Sequence, residues 1–209
     1  PTVSRALKDS PEISRELCAK AKALAKEMNY RPNPFAMSLR KNAPRIIGVI
    51  VPDIVTHFFA SILNGIENMA IANGYFVIIT TSHESYEHEK RNIENLVNMR
   101  VEGIISCLSQ ETTDFSHISA LKDINMPLIL FDRVCLTDQF SSVIADGAQS
   151  AQMATQHLLD NGSERVAFIG GANHLDIVKR RKHGYLEALR ENRIPIEKEL
   201  VVCRKIDYE

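Results

Sequence analysis

From Ile46 onward, short apolar runs alternate with longer amphipathic segments, and this alternation restricts the chain to a small set of folds. Parallel strands need a long crossover between them, which is usually a helix. The predicted strands are 46–51, 75–80, 103–107, 128–131, 143–145 and 166–169, and the predicted helices are 58–73, 85–99, 115–124, 147–161 and 175–192. Gly74 and Gly162 follow two of these helices, where a left-handed helix end is expected. The pattern predicts an α/β fold with a doubly wound parallel sheet.

Ligands of such sheets bind outside the carboxyl ends of the strands. The candidate binding loops are therefore 52–59, 81–85, 108–113, 132–136 and 170–178.

The first 45 residues follow a different pattern, with no strand signal and a strong positive charge. They hold ten Lys and Arg against four Asp and Glu, a net charge of +6, which leaves −7 on the remaining 164 residues because the whole chain carries −1. A small basic module on a larger acidic one is typical of a nucleic-acid-binding headpiece on a sensing body. A lysine-rich helix face in solvent explains the same charge equally well.

Two helices are predicted within this basic region. Ser14 is placed to cap a helix that runs to about Met28, with Leu17 and Leu24 on its apolar face, and Ser10-Pro11 is an alternative start. We expect Val3 and Ala6 to pack against these leucines and against a further helix upstream of Pro1. Asn33, followed by a proline, predicts the start of a second, short helix.

Several classes of protein are disfavoured by the sequence. The longest uncharged apolar stretch, 46–52, is far too short to span a membrane, and the first residues lack the features of an export signal, which predicts a cytoplasmic protein. Cys18, Cys107, Cys135 and Cys203 show no CxxC spacing, so neither a disulfide nor a metal site is predicted. No GxGxxG, GxxxxGK[ST] or GxSxG motif occurs, and we predict no catalytic residues, no cofactor and no enzyme activity.

An ordered set of short motifs carries a family resemblance. The motifs are TVSRAL at 2–7, NYRPN at 29–33, SLR at 38–40, IGVIVPD at 47–53, VEGII at 101–105, FDR at 131–133, AFIGG at 167–171 and RKHGY at 181–185. Together they resemble the lactose-repressor/galactose-repressor (LacI/GalR) family of bacterial transcription factors. The resemblance implies a partial helix-turn-helix headpiece at 1–32 and a hinge helix and linker at 33–44. It further implies a periplasmic-binding-protein-like body, with one subdomain at 45–145 and part of a second at 146–209. We expect a fragment that lacks the first helix of the headpiece and the end of the second subdomain.

The resemblance also assigns residues to DNA. Arg5 would read a base edge in the major groove, while Thr2 and Ser4 would hold phosphates. The hinge residues Asn33, Ala36 and Leu39 would lie in the minor groove, with Leu39 as an apolar wedge between base pairs. The alternatives are a surface charge for Arg5, a frayed end for Thr2, a hydroxyl bonded to its own helix for Ser4, and packing or disorder for Leu39.

For the cleft of the body, the resemblance assigns a second set of residues to a small effector, commonly a sugar. They are Asp53, Phe58, Phe59, Asp132 and Arg181. Aromatic rings stack on the C–H faces of sugars, and charged groups bond their hydroxyls. Core packing is the alternative for Phe59, and a solvated basic run is the alternative for Arg181. The pairs Thr56-His57 and Asp146-Gly147 depart from the common Asn-Pro and Asp-Asn, which leaves the identity of the effector open.

These features predict a homodimeric transcriptional regulator that binds double-stranded operator DNA under the control of a small carbohydrate effector. Repression is the more common action of this family, so the resemblance favours a repressor over an activator. The competing hypothesis is a sugar-binding module without a DNA function.

Overall fold

The computed structural model describes residues 2–7, 9–30 and 45–204, and the chain divides into one compact unit at 1–44 and another at 45–209. The first unit contains helix α1 (Thr2–Ala6) and helix α2 (Arg15–Glu27). The Ser14 side chain accepts a hydrogen bond from the backbone N–H of Leu17 at 3.3 Å, so the predicted cap is confirmed.

The apolar side chains of these two helices are unevenly buried. Ala6 and Cys18 are buried, whereas Val3, Leu17 and Leu24 are exposed. One position along a helix rotates a side chain by about 100°, so turning Cys18 toward α1 turns Leu17 away from it. The burial of Ala6 agrees with the prediction, and the exposed Val3, Leu17 and Leu24 are the side chains that the expected upstream helix would cover, so their packing stays a prediction.

The second unit alternates strands and helices. Its strands are β1 (Ile46–Val51), β2 (Phe76–Thr81), β3 (Gly103–Ser106), β4 (Leu128–Phe131), β5 (Ser141–Val143), β6 (Phe168–Gly170) and β7 (Val201–Cys203). Its α-helices are α3 (His57–Ala72), α4 (Tyr86–Asn98), α5 (Ser116–Asp123), α6 (Gly147–Asp160) and α7 (Asp176–Glu191), and a 3₁₀ turn covers Lys198–Leu200. Gly74 and Gly162 have φ values of +74° and +88° after α3 and α6, which confirms both predicted helix ends.

The main sheet has the strand order β2-β1-β3-β4-β5 with every pair parallel, so the predicted doubly wound α/β sheet is confirmed. The chain leaves β1 for one neighbour, β2, and later returns to β3 on the other side. This reversal is the switch point beside which ligands of open parallel sheets bind.

Both faces of this sheet are covered, as expected for a parallel sheet. Side chains alternate across β1, so Ile50 joins the cluster around Leu96 and Ile104, while Val49 and Val51 join the opposite cluster. Burial of each such side chain stabilises the fold by roughly 1.5–3 kcal/mol.

A smaller sheet consists of β6 and β7, which pair in parallel, and its register places Ile169 beside Val202. The Tyr185 hydroxyl on α7 donates to the backbone oxygen of Val166 at 2.9 Å, and its ring is buried beneath this sheet in a cluster with Phe168 and Val201. Ile169 is 80% exposed on the uncovered side.

Helices α6 and α7 pack with their backbones in close contact. A Cβ atom on Gly184 of α7 would lie only 1.9 Å from the backbone oxygen of Ala148 on α6. Only glycine fits at this crossing, and the crossing fixes where α7 presents its side chains. Among the described residues, no helix has the length and apolar character needed to cross a membrane.

Candidate functional site

The loops that follow β1, β2, β3 and β4 all leave the main sheet at the same edge, because parallel strands end there together. Four of the five residues assigned to an effector lie on or just after these loops, and the fifth lies on α7.

Asp53 organises the first loop. Its Oδ1 accepts hydrogen bonds from the backbone N–H groups of Val55 and Thr56, at 2.9 and 2.8 Å, and so fixes the chain just before α3. The second oxygen of the same carboxylate is left for other partners, since a carboxylate has about four acceptor sites.

The two phenylalanines that begin α3 have different environments. Phe59 is buried and meets Phe131 edge-on at a centroid distance of 6.4 Å, whereas the adjacent Phe58 is 51% exposed. The structure therefore favours core packing for Phe59. Phe58 is the ring available to stack on a ligand.

Asp132 follows β4 directly, in a left-handed conformation with φ of +58°. Burial raises the pKa of its carboxyl group, and the nearby positive charges of Arg133 and Arg181 oppose that rise. The fold thus brings Asp132 within electrostatic range of Arg181, although 49 residues separate them in the chain.

Gly147 explains one departure from the family pattern. A Cβ atom at this position would lie 3.3 Å from Cγ of Arg181, which is a tight contact. The missing side chain gives the stem of Arg181 its space. The preceding Asp146 caps α6 by accepting a hydrogen bond from the N–H of Gln149 at 3.0 Å.

A salt bridge that the sequence did not predict joins three of the loops. Arg133 donates to both carboxylate oxygens of Glu84, at 2.6 and 2.9 Å, and also to the backbone oxygen of Leu108 at 3.2 Å. The same Glu84 accepts from the N–H of Gln110 at 2.6 Å. The loops after β2, β3 and β4 are thereby tied together next to Asp132.

Beneath these loops lies a buried polar cluster around Glu89 of α4. Its carboxylate accepts from the Ser109 N–H, from the Thr112 hydroxyl at 2.9 Å and from Nε2 of His117 at 2.8 Å. Glu89 is fully buried, and such a charge is tolerated only with several partners. The cluster anchors the loop after β3 to α4 and α5.

A pocket of about 220 Å³ lies between the loop after β4 and the start of α7. Its polar lining includes Arg133, Thr137, His174, Lys179 and Arg180. Cys107 directly follows β3, and burial raises the pKa of its thiol to about 12, so it stays protonated at neutral pH and is a poor nucleophile. The charged, aromatic and hydrogen-bonding groups of this edge suit recognition of a polyhydroxyl ligand.

In the first unit, Thr2 and Arg5 lie on the exposed side of α1, while Ala6 faces α2. Nη1 of Arg5 lies 2.6 Å from a carboxylate oxygen of Glu12. Ser4 is partly buried on the same helix. The predicted hinge residues Asn33, Ala36 and Leu39 lie outside the described residues.

The switch-point sheet with its polar carboxyl edge defines a periplasmic-binding-protein-like body. A family model for periplasmic binding proteins and the sugar-binding domain of the LacI family matches residues 45–209. The chain belongs to the LacI/GalR family, and the resemblance seen in the sequence is confirmed.

Individual relatives agree with this assignment. The chain is 32% identical over 213 residues to catabolite control protein A of Priestia megaterium, covering 100% of this chain and 62% of that protein. It is 29% identical over 193 residues to the ribose operon repressor of Halalkalibacterium halodurans, covering 92% of this chain and 56% of that protein. The chain therefore spans about 60% of the length of these relatives.

A solved structure gives a third comparison. The periplasmic binding protein/LacI transcriptional regulator from Alkaliphilus metalliredigens QYMF, complexed with D-xylulofuranose, superposes with a TM-score of 0.68 at 25% identity. The match covers 79% of this chain and 58% of that one.

Proposed function

We propose that the full-length protein is a DNA-binding transcriptional regulator, acting as a repressor, whose affinity for operator DNA is set by a small carbohydrate effector. The observation that carries this proposal is that Asp53, the exposed ring of Phe58 and Asp132 follow strands that end at one edge of the main sheet, in a chain whose basic first unit exposes Arg5. One relative is named a ribose operon repressor, and one structural neighbour holds D-xylulofuranose, which supports both halves of the proposal.

On the DNA side, Arg5 would bond a base edge in the major groove, and Thr2 and Ser4 would contact phosphates. All three residues lie on α1, where Thr2 and Arg5 are exposed, and this supports the assignment. Asn33, Ala36 and Leu39 would form the minor-groove contact of the hinge. The proposed parts of the chain are the headpiece at 1–32, the hinge at 33–44, and the two subdomains at 45–145 and 146–209.

On the effector side, Phe58 would stack on the ligand, while Asp53, Asp132 and Arg181 would bond its hydroxyls. Phe59 would support Phe58 from behind, since their ring centroids are 5.1 Å apart. The effector would bind one closure state of the body more tightly than the other, and that difference would set the DNA affinity. In this scheme the site binds its ligand without transforming it, so the protein is a regulator and not an enzyme, and it acts in the cytoplasm where bacterial DNA lies.

The regulator would act as a homodimer. Exposed apolar side chains, among them Met69 and Phe76, lie on α3 and on β2, which is an edge strand of the main sheet. An exposed strand edge flanked by apolar side chains is a surface that proteins usually cover. A twofold interface there would bring the two headpieces onto the two halves of a palindromic operator.

The test is fluorescence anisotropy of the full-length protein on two duplexes, one selected by the protein from a random-sequence pool and one with the same bases scrambled. Each titration is repeated with single members of a panel of pentoses, hexoses, disaccharides and sugar phosphates. We expect tight binding of the selected duplex and a change in its affinity with one member. Equal, weak binding to both duplexes together with a sugar that binds the body would favour the sensing module without a DNA function.

Arg181→Ala separates the two halves of the proposal. It should abolish the response to the sugar and leave affinity for the selected duplex unchanged, because Arg181 lies in the body. Lys182→Ala, a neighbouring change of equal charge on α7, is the control. A normal sugar response in Arg181→Ala would remove Arg181 from the site.

A further inference from the structure

The residue expected to read a base is held by a carboxylate of its own unit. Nη1 of Arg5 and Oε2 of Glu12 are 2.6 Å apart, a charge-assisted hydrogen bond. The two side chains are 57% and 64% exposed, so both reach the solvent from which a DNA molecule would approach.

The turn between α1 and α2 sets the position of Glu12. The N–H of Ser10 donates to the backbone oxygen of Arg5 at 3.1 Å, and the N–H of Ile13 donates to the oxygen of Ser10 at 3.0 Å. Asp9 has a φ of +53°, which turns the chain back over the end of α1. These bonds leave Glu12 beside Arg5 before any DNA is present.

The other ion pairs described in this unit are of a different kind. Lys22 pairs with Asp9 at 2.5 Å, and Lys20 pairs with Glu16 at 2.8 Å along α2. Both involve lysines that no motif assigns to DNA. The Arg5–Glu12 pair differs because it occupies the guanidinium that the proposed function assigns to a base edge.

We propose that Glu12 competes with DNA for Arg5 and thereby lowers the affinity of the headpiece for DNA of every sequence. This inference rests on the proposed function. In the free protein and on non-operator DNA the guanidinium stays with Glu12, and on the operator it must exchange that carboxylate for a guanine edge. An acid at this position therefore keeps the full-length regulator from saturating non-operator DNA.

The Arg5–Glu12 pair is exposed, so it contributes little free energy, and we expect only a small change in DNA affinity when it is removed. Glu12→Gln should tighten binding of a mixed-sequence 30-base-pair duplex by roughly two- to fivefold at low salt, the range that follows from the free energies of exposed charge pairs. Freed Arg5 would add one phosphate contact, so the slope of log K against log salt should steepen by about 0.9. The selected operator duplex should gain at least as much affinity, because Arg5 must leave Glu12 there in any case.

Three further variants make the test specific to the pair. Arg5→Gln combined with Glu12→Gln should show none of the gain, because the guanidinium is absent. Glu12→Asp keeps the charge with a shorter reach, and it should show part of the gain. Glu16→Gln removes the same charge from the same unit without freeing Arg5, so it should leave the salt slope unchanged. Circular dichroism and thermal melting of each full-length variant confirm that the fold is retained.

Three results would overturn the inference: equal gains for Glu12→Gln and Glu16→Gln, a gain that persists without Arg5, or weaker binding by Glu12→Gln. The last would mean that Glu12 orients Arg5 for its base. These results leave the proposed function standing, because the parent protein still binds its selected duplex. Failure of the parent protein to bind either duplex at low salt would instead reject the proposed function and the inference with it.

Discussion

Arg133 holds Glu84 through two parallel hydrogen bonds, from Nη1 to Oε2 at 2.6 Å and from Nη2 to Oε1 at 2.9 Å. The two side chains are only 18% and 31% exposed, so this pair is shielded from water more than an ordinary surface ion pair. Arg133 is the neighbour of Asp132 in the chain, and the bridge therefore connects the stability of the loops to the geometry of the proposed effector site.

Replacement of Glu84 by Gln should destabilise the body by about 1–3 kcal/mol, since it leaves the charge of Arg133 partly buried and unpaired. Urea unfolding of the full-length protein measures this change. Glu197→Gln removes one partner of the exposed Arg165–Glu197 pair and should have little effect. Equal losses for the two variants would show that the Glu84 bridge is no stronger than a surface pair.

Replacement of Gly184 by Ala should destabilise the body by at least about 2 kcal/mol, because the new methyl group would overlap the backbone oxygen of Ala148 and force α6 and α7 apart. Gly65→Ala is the matched control. Gly65 lies within α3 with nothing within 4 Å of its Cβ position, so alanine there should stabilise the helix by about 0.5–1 kcal/mol. Thermal melting of both variants should show shifts of opposite sign.

The buried carboxyl of Asp132 should make stability depend on pH. Its folded-state pKa is raised, so its contribution is fully present below the usual value near 4 and is lost as the pH rises through the raised value. Asp132→Asn should therefore melt above the parent protein at pH 7 and converge with it near pH 4. Asparagine also tolerates the left-handed backbone at this position. A constant difference at all pH values for Asp132→Asn would contradict the prediction.

Replacement of Leu39 by Ala should weaken binding of the selected duplex by at least about tenfold, because the proposed wedge would no longer unstack the central step. Binding of the scrambled duplex should keep its affinity and its dependence on salt, since phosphate contacts supply it. Anisotropy titrations at several salt concentrations measure both. Unchanged affinity for the selected duplex would dismiss the wedge.

The sequence predicted the main sheet well because buried parallel strands are short, continuous apolar runs. It placed β5 at 143–145, whereas the strand is Ser141–Val143, since two exposed serines carry no apolar signal. It placed β6 at 166–169, two residues ahead of Phe168–Gly170, and it missed β7, a three-residue strand whose pairing depends on a distant partner.

The site was predicted less completely than the fold. Motifs proposed Asp132 and Arg181 as site residues, but they could not show that Phe59 turns inward while Phe58 stays exposed, because both begin the same helix. The Glu84–Arg133 bridge was missed for another reason. Its partners are 49 residues apart, and a charge pair formed across two loops leaves no period in the sequence.

The uncovered face of the β6–β7 sheet has a consequence for handling the 209-residue chain. Ile169 is 80% exposed on this sheet, and among the described residues neither β6 nor β7 pairs with a third strand. Such an edge is a template for strands of other molecules. When this chain is concentrated or warmed, we expect intermolecular β-pairing to start at β6 and β7 before the main sheet melts, so that turbidity and not unfolding limits its shelf life.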